Sequence, residues 1–383
     1  MHVALNGYFW NRPNTGSGQY TRQLVYHLHQ LVSDLTLTLV YPQTPDAPAP
    51  LAVPPGVNVH AVPMRPGHLG KVLFEQRDFP RACRAAGVDV AHVPYWGGPL
   101  RCPAPVVVTI HDLTTRLVRE YRRGLNARLY NALVSAGARG ANHIITDSIA
   151  SQRDVTRHLG IPDANITPIY LGIGPEFTPR GNVLLDMAIA QKYQLPDSYV
   201  LYLGGYEIHK NINTLLLAYT YVAAALGEEY PLLLAGAPPE RATQRFPDYA
   251  HYIRRLNLEP NVRWIGHVDE ADKPAVYRQA AAFVFPSRFE GFGLPPLEAM
   301  ACGAPVITTT AGSLPEVVGD AAFTVSPDNE RDLAGAIIAV LIQTQLAAEL
   351  KRKGLAQAAR FSWQTTAHQT VLVYDRVAGG KPG

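Results

Sequence analysis

Short apolar runs at Val3–Leu5, Leu35–Val40, Val88–His92, Pro105–Ile110 and His143–Thr146 alternate with stretches such as Gly18–Leu31 and Phe74–Ala86, where apolar residues recur every third or fourth position. Runs of the first kind read as buried strands and stretches of the second kind as amphipathic helices. The alternation therefore predicts a parallel sheet with helical crossovers. The pattern starts again at Val200–Leu203 and continues through Leu232–Ala235, Val262–Ile265, Ala282–Phe285 and Val306–Thr308. Two doubly wound α/β domains are expected, over residues 1–172 and 196–360, facing a central cleft in which a ligand binds. Gly172, Gly174, Pro175, Pro179, Gly181 and Pro196 mark residues 173–195 as a linker. Ser362 reads as the N-cap of a last helix over about 362–377, with a frayed tail from Ala378.

A chain of 383 residues, 47% hydrophobic and 17% charged, has the length for two cores and the composition of a soluble globular protein. No apolar run has the length of a membrane span, and the first strand begins at once without a basic leader, so a cytoplasmic location is expected. Cys83, Cys102 and Cys302 lack disulfide and metal spacing and read as reduced, structural residues. The net charge of +3 is uneven: residues 1–172 hold 16 basic and 10 acidic residues, and the remainder holds 18 and 21. Arg116, Arg119, Arg122, Arg123, Arg128 and Arg139 share a stretch with Leu117, Tyr121, Leu125, Leu129 and Leu133. That stretch reads first as a solvated helix face; the alternative is peripheral contact of Arg116–Arg128 with anionic membrane. No nucleic-acid partner is expected.

The chemistry concentrates where Ala281–Pro286 turns into a helix opening at Pro295. Glu290 lies on the loop, Gly291-Phe292-Gly293-Leu294-Pro295 makes the turn, and Glu298 follows on the helix. A glycine loop at a helix N-terminus offers unpaired N–H groups and a positive dipole end to a phosphate, and the two carboxylates are placed to accept from sugar hydroxyls. Taken by themselves the two glutamates read as a dipole complement and a solvated loop residue; their surroundings favour the site. Lys210, after Gly204-Gly205-Tyr206-Glu207-Ile208-His209, is placed to neutralise a diphosphate, with Asn211 as the N-cap of the next helix. His111-Asp112 ends a strand of the first domain, so His111 can donate to a substrate hydroxyl or handle charge at a reacting centre, with Asp112 as orienter or loop cap. Gly16-Ser17-Gly18 forms a loop before the first helix. Thr21 stands where a dinucleotide fingerprint needs a third glycine, so the loop reads as a close-approach surface for phosphate or as a plain turn. No Cys/His cluster or paired-Asp motif offers a metal site.

Glu290–Glu298, the sequel Ala299–Ile307 and Gly312-Ser313-Leu314-Pro315-Glu316-Val317 together resemble the family 4 (group 1) retaining glycosyltransferases. Gly16–Tyr20, Thr109–Leu113, Ser148, Lys210-Asn211 and Phe361-Ser362-Trp363 fall in the family's order, so the resemblance covers nearly the whole chain. It implies a GT-B fold, two Rossmann-like domains with the final helix crossing back to the first. It implies transfer of a hexosyl unit from a nucleoside-diphosphate sugar to a glycan or lipid-linked acceptor, with retention, no cofactor and no metal. Glu298 would hold the donor ribose, Glu290 a sugar hydroxyl, and the N–H groups of Phe292, Gly293 and Leu294 the sugar and phosphate. Lys210 would meet the diphosphate, Gly16 and Gly18 would close on it, and His111 would lie near the anomeric carbon. The Gly312–Glu316 run is similar to that of many mannosyltransferases and tilts the donor to GDP-mannose. The chain departs from the family at Tyr206 and His209, in a stretch where many members carry a diphosphate arginine. A nucleotide-sugar epimerase, a phosphorylase, or a non-catalytic membrane-associated subunit with a relict donor site are the competing readings.

Overall fold

The computed structural model describes residues 1–47, 49–121, 125–236, 238 and 241–379. The chain separates into two compact units, one of Met1–Gly172 with the C-terminal helix, the other Ile173–Phe361.

The first unit is built on seven parallel strands, β1 His2–Asn6, β2 Thr36–Gln43, β3 Asn58–Pro63, β4 Val90–Val93, β5 Val106–Ile110, β6 His143–Thr146 and β7 Ile166–Pro168, in the order β3-β2-β1-β4-β5-β6-β7. The order reverses between β1 and β4, which pair through Val3↔Val90 and Leu5↔His92. Every residue of β4, β5 and β6 is buried, the mark of a parallel sheet covered on both faces. The edge strands β3 and β7 escape the sequence pattern because they lack an apolar run; β3 alternates exposed and half-buried residues.

The helical stretch around Phe74 begins earlier than expected and is not uniform. Helix His68–Leu73 widens into a π-turn, Phe74–Asp78, before Phe79–Ala86 resumes α geometry. Pro80 is the physical reason: it has no N–H for the carbonyl one turn back, and a wider turn accommodates its ring. The basic stretch is likewise divided, into Thr114–Leu117, a single 3₁₀ turn Arg119–Tyr121, and a helix Leu125–Arg139. Arg122 and Arg123 fall outside the described residues.

Helix Trp363–Gly379 packs against helix Gly16–Leu31 and β4. Ser362 Oγ accepts from Thr365 N at 3.1 Å, Thr366 Oγ1 donates to the Tyr170 carbonyl at 2.7 Å, and Tyr374 Oη bonds His92 Nδ1 at 2.6 Å. Ala378 and Gly379 belong to this helix rather than to a tail; Gly380–Gly383 fall outside the described residues.

The second unit has six parallel strands, β8 Val200–Leu203, β9 Leu232–Ala235, β10 Val262–Gly266, β11 Ala282–Phe285, β12 Val306–Thr309 and β13 Phe323–Val325, in the order β10-β9-β8-β11-β12-β13. Its reversal lies between β8 and β11, so loops leaving these two strands border the switch-point crevice. Phe283 and Phe285 on β11 are fully buried, and each contributes about 1.5–3 kcal/mol by leaving water.

Residues 173–195 are not a free linker. They belong to the second unit and contain helix Val183–Tyr193, capped by Asn182 Oδ1 on Leu184 N at 3.0 Å. Asp186 pairs with Arg278 at 2.6 Å, and Lys192 with Asp272 at 2.6 Å. The glycines and prolines that suggested a linker cluster before this helix.

Candidate functional site

At the switch point of the second unit, the loop after β8 makes a 3₁₀ turn, Ile208–Lys210, and Asn211 then takes a left-handed conformation (φ +62°) before helix Ile212–Leu226. Asn211 holds the N-cap position, but its side chain caps no backbone N–H. Its amide instead donates to the carbonyls of Pro286 (3.0 Å) and Pro327 (2.7 Å), and its Oδ1 accepts from Thr214 Oγ1. A buried amide thus ties the Lys210 turn to the loop after β11, and Arg288 N donating to the His209 carbonyl at 2.8 Å adds a second tie.

Across that junction Lys210 Nζ meets Glu290 Oε1 at 2.7 Å, with the side chains 18% and 12% exposed. The chain beyond Glu290 is held by Ser313, whose Oγ donates to the carbonyls of Phe292 (2.6 Å) and Glu290 (3.1 Å). Glycine is required at two neighbouring points. Gly293 has φ +117° as it starts helix Leu294–Ala301, and a Cβ on Gly312 would lie 2.7 Å from the Glu290 carbonyl oxygen. The Leu294 helix carries prolines in its first turn, where their missing N–H costs nothing.

Glu298 lies on the buried side of that helix, only 5% exposed, and accepts from Tyr277 Oη at 2.9 Å. Burial raises its pKa, while Lys273 and the Tyr277 hydroxyl oppose the rise. The structure therefore brings Lys210 and Glu290 together and gives Glu298 a separate partner. Tyr206, in the stretch where the family has an arginine, is a core residue: its hydroxyl donates to the Ala235 carbonyl at 2.8 Å and its ring lies 4.8 Å from Trp264. Burial, with Lys210 and Arg245 nearby, lowers the His209 pKa to about 3.

In the first unit His111 follows β5 and is oriented by Asp147, which follows the adjacent β6, not by Asp112. The His111 Nδ1 to Asp147 Oδ2 distance is 2.7 Å, and Nε2 faces the Pro94 carbonyl at 3.2 Å. Both ring nitrogens face acceptors, an arrangement that suits the doubly protonated ring. Burial opposes the charge, but Asp147, Asp112 and the Pro94 carbonyl outweigh it, and the His111 pKa is raised. Asp112 serves as the loop cap, accepting from Thr114 N at 2.7 Å. Sequence reading missed Asp147; its signal is its place at the end of the strand beside the His111 strand.

Gly16 and Gly18 are not in a loop. Thr15 is the N-cap, accepting from Gly18 N at 3.2 Å, and both glycines lie in the first turn of the helix. A Cβ on Gly18 would lie 2.0 Å from the Arg12 carbonyl oxygen, so internal packing alone requires that glycine. Gly16 has open space around it and stays available to an approaching ligand.

A second cluster was not legible beforehand. Lys71 and Glu75 form an i,i+4 pair at 3.5 Å, with Glu75 fully buried. The Lys71 ammonium lies 5.1 Å from the ring centre of Tyr8, 5.7 Å from Phe9, 5.5 Å from Tyr95 and 4.7 Å from Tyr130. Tyr130 Oη donates to Glu75 at 3.2 Å, and Arg12 stacks over Tyr8 at 5.0 Å. Burial lowers the Lys71 pKa and raises that of Glu75, each against the pull of its partner. Tyr8, Phe9 and Tyr95 come from the loops after β1 and β4, which places the cluster at the switch point of the first sheet.

Two Rossmann-like units, each with ionic groups gathered where its strand order reverses, have the GT-B architecture. The model for "Glycosyl transferases group 1" matches residues 188–357, and that for "Glycosyl transferase 4-like domain" matches residues 15–172. The O-antigen chain mannosyltransferase B of Escherichia coli is 35% identical over 272 residues, 70% of this chain and 69% of its own. Among solved structures, sucrose-phosphate synthase from Thermosynechococcus elongatus superposes with a TM-score of 0.80 at 22% identity, covering 100% of both chains. Anabaena HepE, in complex with UDP and glucose, gives 0.72 at 19% identity over 98% of this chain and 100% of its own. The chain belongs to the group 1, family 4 glycosyltransferases and is a glycosyltransferase.

Proposed function

We propose that the chain transfers a mannosyl unit from GDP-mannose to a glycan or lipid-linked acceptor, with retention of configuration and without a metal ion. The observation that carries this reading is the Lys210–Glu290 pair, seated beside a glycine turn and a helix N-terminus at the switch point of the second sheet. A cation and helix-end N–H groups converging on one crevice stabilise the charge that develops on a departing diphosphate. Glu290 holds Lys210 ready and then accepts from a sugar hydroxyl when the diphosphate takes the lysine. Glu298 receives the ribose hydroxyls, and the N–H groups of Phe292, Gly293 and Leu294 face sugar and phosphate. The mannosyltransferase relative and the Gly312–Glu316 run support mannose as the sugar; the UDP complex of HepE supports a nucleotide on this fold.

In the step proposed, the bond from the anomeric carbon to the diphosphate oxygen breaks, and the acceptor oxygen bonds to that carbon on the same face. The acceptor proton passes to the leaving diphosphate. Gly16 approaches the phosphates. His111, held protonated through Nδ1 by Asp147, exchanges its 3.2 Å Nε2 contact with the Pro94 carbonyl for a hydroxyl of the transferred sugar. The ringed Lys71–Glu75 cluster recognises the acceptor, since aromatic faces suit the C–H faces of sugars and the ion pair suits their hydroxyls.

The experiment is turnover with GDP-mannose, UDP-glucose, UDP-N-acetylglucosamine and ADP-glucose in the presence of EDTA, with nucleoside-diphosphate release and product anomer read by NMR. Release from GDP-mannose with an α-linked product supports the reading. Release from a uridine or adenosine donor only, an inverted product, or inhibition by EDTA overturns the corresponding part.

A further inference from the structure

When His111 Nε2 leaves the Pro94 carbonyl for a sugar hydroxyl, the ring keeps one hydrogen bond, from Nδ1 to Asp147 at 2.7 Å. A single bond leaves a ring free to swing about it. What still closes on the imidazole is Tyr20, whose ring centre lies 4.9 Å away at 79°, an edge-to-face contact. His111 is then held only as firmly as Tyr20 is.

Tyr20 is held by more than packing. Its hydroxyl bonds Thr109 Oγ1 at 3.1 Å, Thr109 Oγ1 bonds His92 Nε2 at 2.8 Å, and His92 Nδ1 bonds Tyr374 Oη at 2.6 Å. All four residues are buried, and they come from four elements: helix Gly16–Leu31, β5, β4 and the C-terminal helix. The C-terminal helix reaches Tyr20 a second time through Trp363, with 6.2 Å between ring centres. A neutral imidazole donates at one nitrogen and accepts at the other, so His92 joins the hydroxyls on either side of it into one chain whose members polarise one another. His92 has hydroxyls where His111 has a carboxylate; burial, and the charge of His111 beside it, push its pKa down to about 3. Of these two buried histidines, His111 carries the charge and His92 serves as a strut.

We propose that Tyr20, Thr109, His92 and Tyr374 are positioning residues for the transfer step, a buried chain by which the C-terminal helix holds the His111 ring in its working orientation. This role rests on the donation by His111 proposed above.

The test is GDP-mannose turnover by the full chain carrying Thr109→Val, Thr109→Ser, Tyr374→Phe or His111→Ala, with Thr109→Val also placed in the His111→Ala background. Thr109→Val should lower kcat roughly tenfold with the donor KM unchanged, and Tyr374→Phe should fall with it, whereas Thr109→Ser, which keeps the hydroxyl, should stay within about twofold of wild type. Added to His111→Ala, Thr109→Val should cost nothing further, because the two residues act as a unit. Thr167→Val, which takes the hydroxyl at 2.8 Å from His143 in the same sheet, should lower the melting temperature and leave kcat alone. The ring Cε1–H signal of His111, read by NMR and assigned with His111→Ala, should shift in Thr109→Val and Tyr374→Phe as the Tyr20 ring facing it moves, and stay in place in Thr167→Val. That signal needs no donor, so it decides whichever sugar nucleotide the enzyme takes. Additive losses from Thr109→Val and His111→Ala, an equal loss of kcat in Thr167→Val, or an unmoved His111 signal in Thr109→Val overturns the proposal and leaves the role of His111 standing. Wild-type turnover in His111→Ala overturns both.

Discussion

Each sheet gathers a lysine and a glutamate where its strand order reverses, and the two pairs are built in opposite ways. Lys210 and Glu290 come from two loops 80 residues apart, joined by the Asn211 amide and shaped by glycines, beside a helix N-terminus. Lys71 and Glu75 lie one turn apart on a single helix and are walled by four aromatic rings. The first setting places a cation beside a helix N-terminus, which suits a diphosphate. The second surrounds its cation with ring faces, which suits a sugar. On the proposed reading, one pair serves donor chemistry and the other acceptor recognition.

The largest expected effect lies at the donor pair. Lys210→Ala should lower kcat by roughly 100- to 1,000-fold, the loss of about 2.7–4 kcal/mol of leaving-group stabilisation, in steady-state assays. If kcat holds and only the acceptor KM changes, the assignment of the two pairs is reversed. Next, Lys71→Met should raise the acceptor KM about tenfold or more with little change in kcat. It should also lower stability by about 3–5 kcal/mol in urea titration unless Glu75 takes up a proton, because a buried carboxylate loses its partner. Glu298→Ala should raise donor KM at a cost of about 1.5–3 kcal/mol, leaving the acceptor KM unchanged.

A smaller effect is read against pH. The His111 pKa is raised above its ordinary 6.5, so its stabilising contribution is complete below about pH 6.5 and is lost as pH rises through the folded value. Stability of His111→Gln, and of Asp147→Asn, should fall less than that of wild type over this rise; parallel curves would remove Asp147 as the orienting group. Smallest of all is the contrast between two glycines. Gly18→Ala should cost about 1–3 kcal/mol of stability through its clash with Arg12, whereas Gly16→Ala should gain up to about 1 kcal/mol as a helix residue and lose activity only if donor phosphates approach there.

Lys210 and Glu290 were each singled out because loop chemistry is written locally: glycines, a proline-opened helix and a lysine after a strand keep their meaning without the fold; that the two side chains pair was not legible. The strands themselves were legible wherever they are buried on both faces, as continuous apolar runs. What was hidden depends on tertiary contact. An i,i+4 Lys–Glu pair on a helix reads as a solvated pair until Tyr8 and Tyr95 arrive from other loops to bury it. Asp147 reads as an ordinary strand-end residue until the pairing of β5 with β6, through Ile110↔Thr146, sets it beside His111. The segment 173–195 misled because its glycines and prolines outweighed the apolar helix that follows them.

The central claim is tested most directly by calorimetric titration of GDP-mannose, and of GDP alone, into wild type, Lys210→Ala and Lys71→Met. The account predicts a single donor site, weakened at least tenfold in Lys210→Ala and unchanged in Lys71→Met. Equal affinity in wild type and Lys210→Ala, or a loss confined to Lys71→Met, would contradict it.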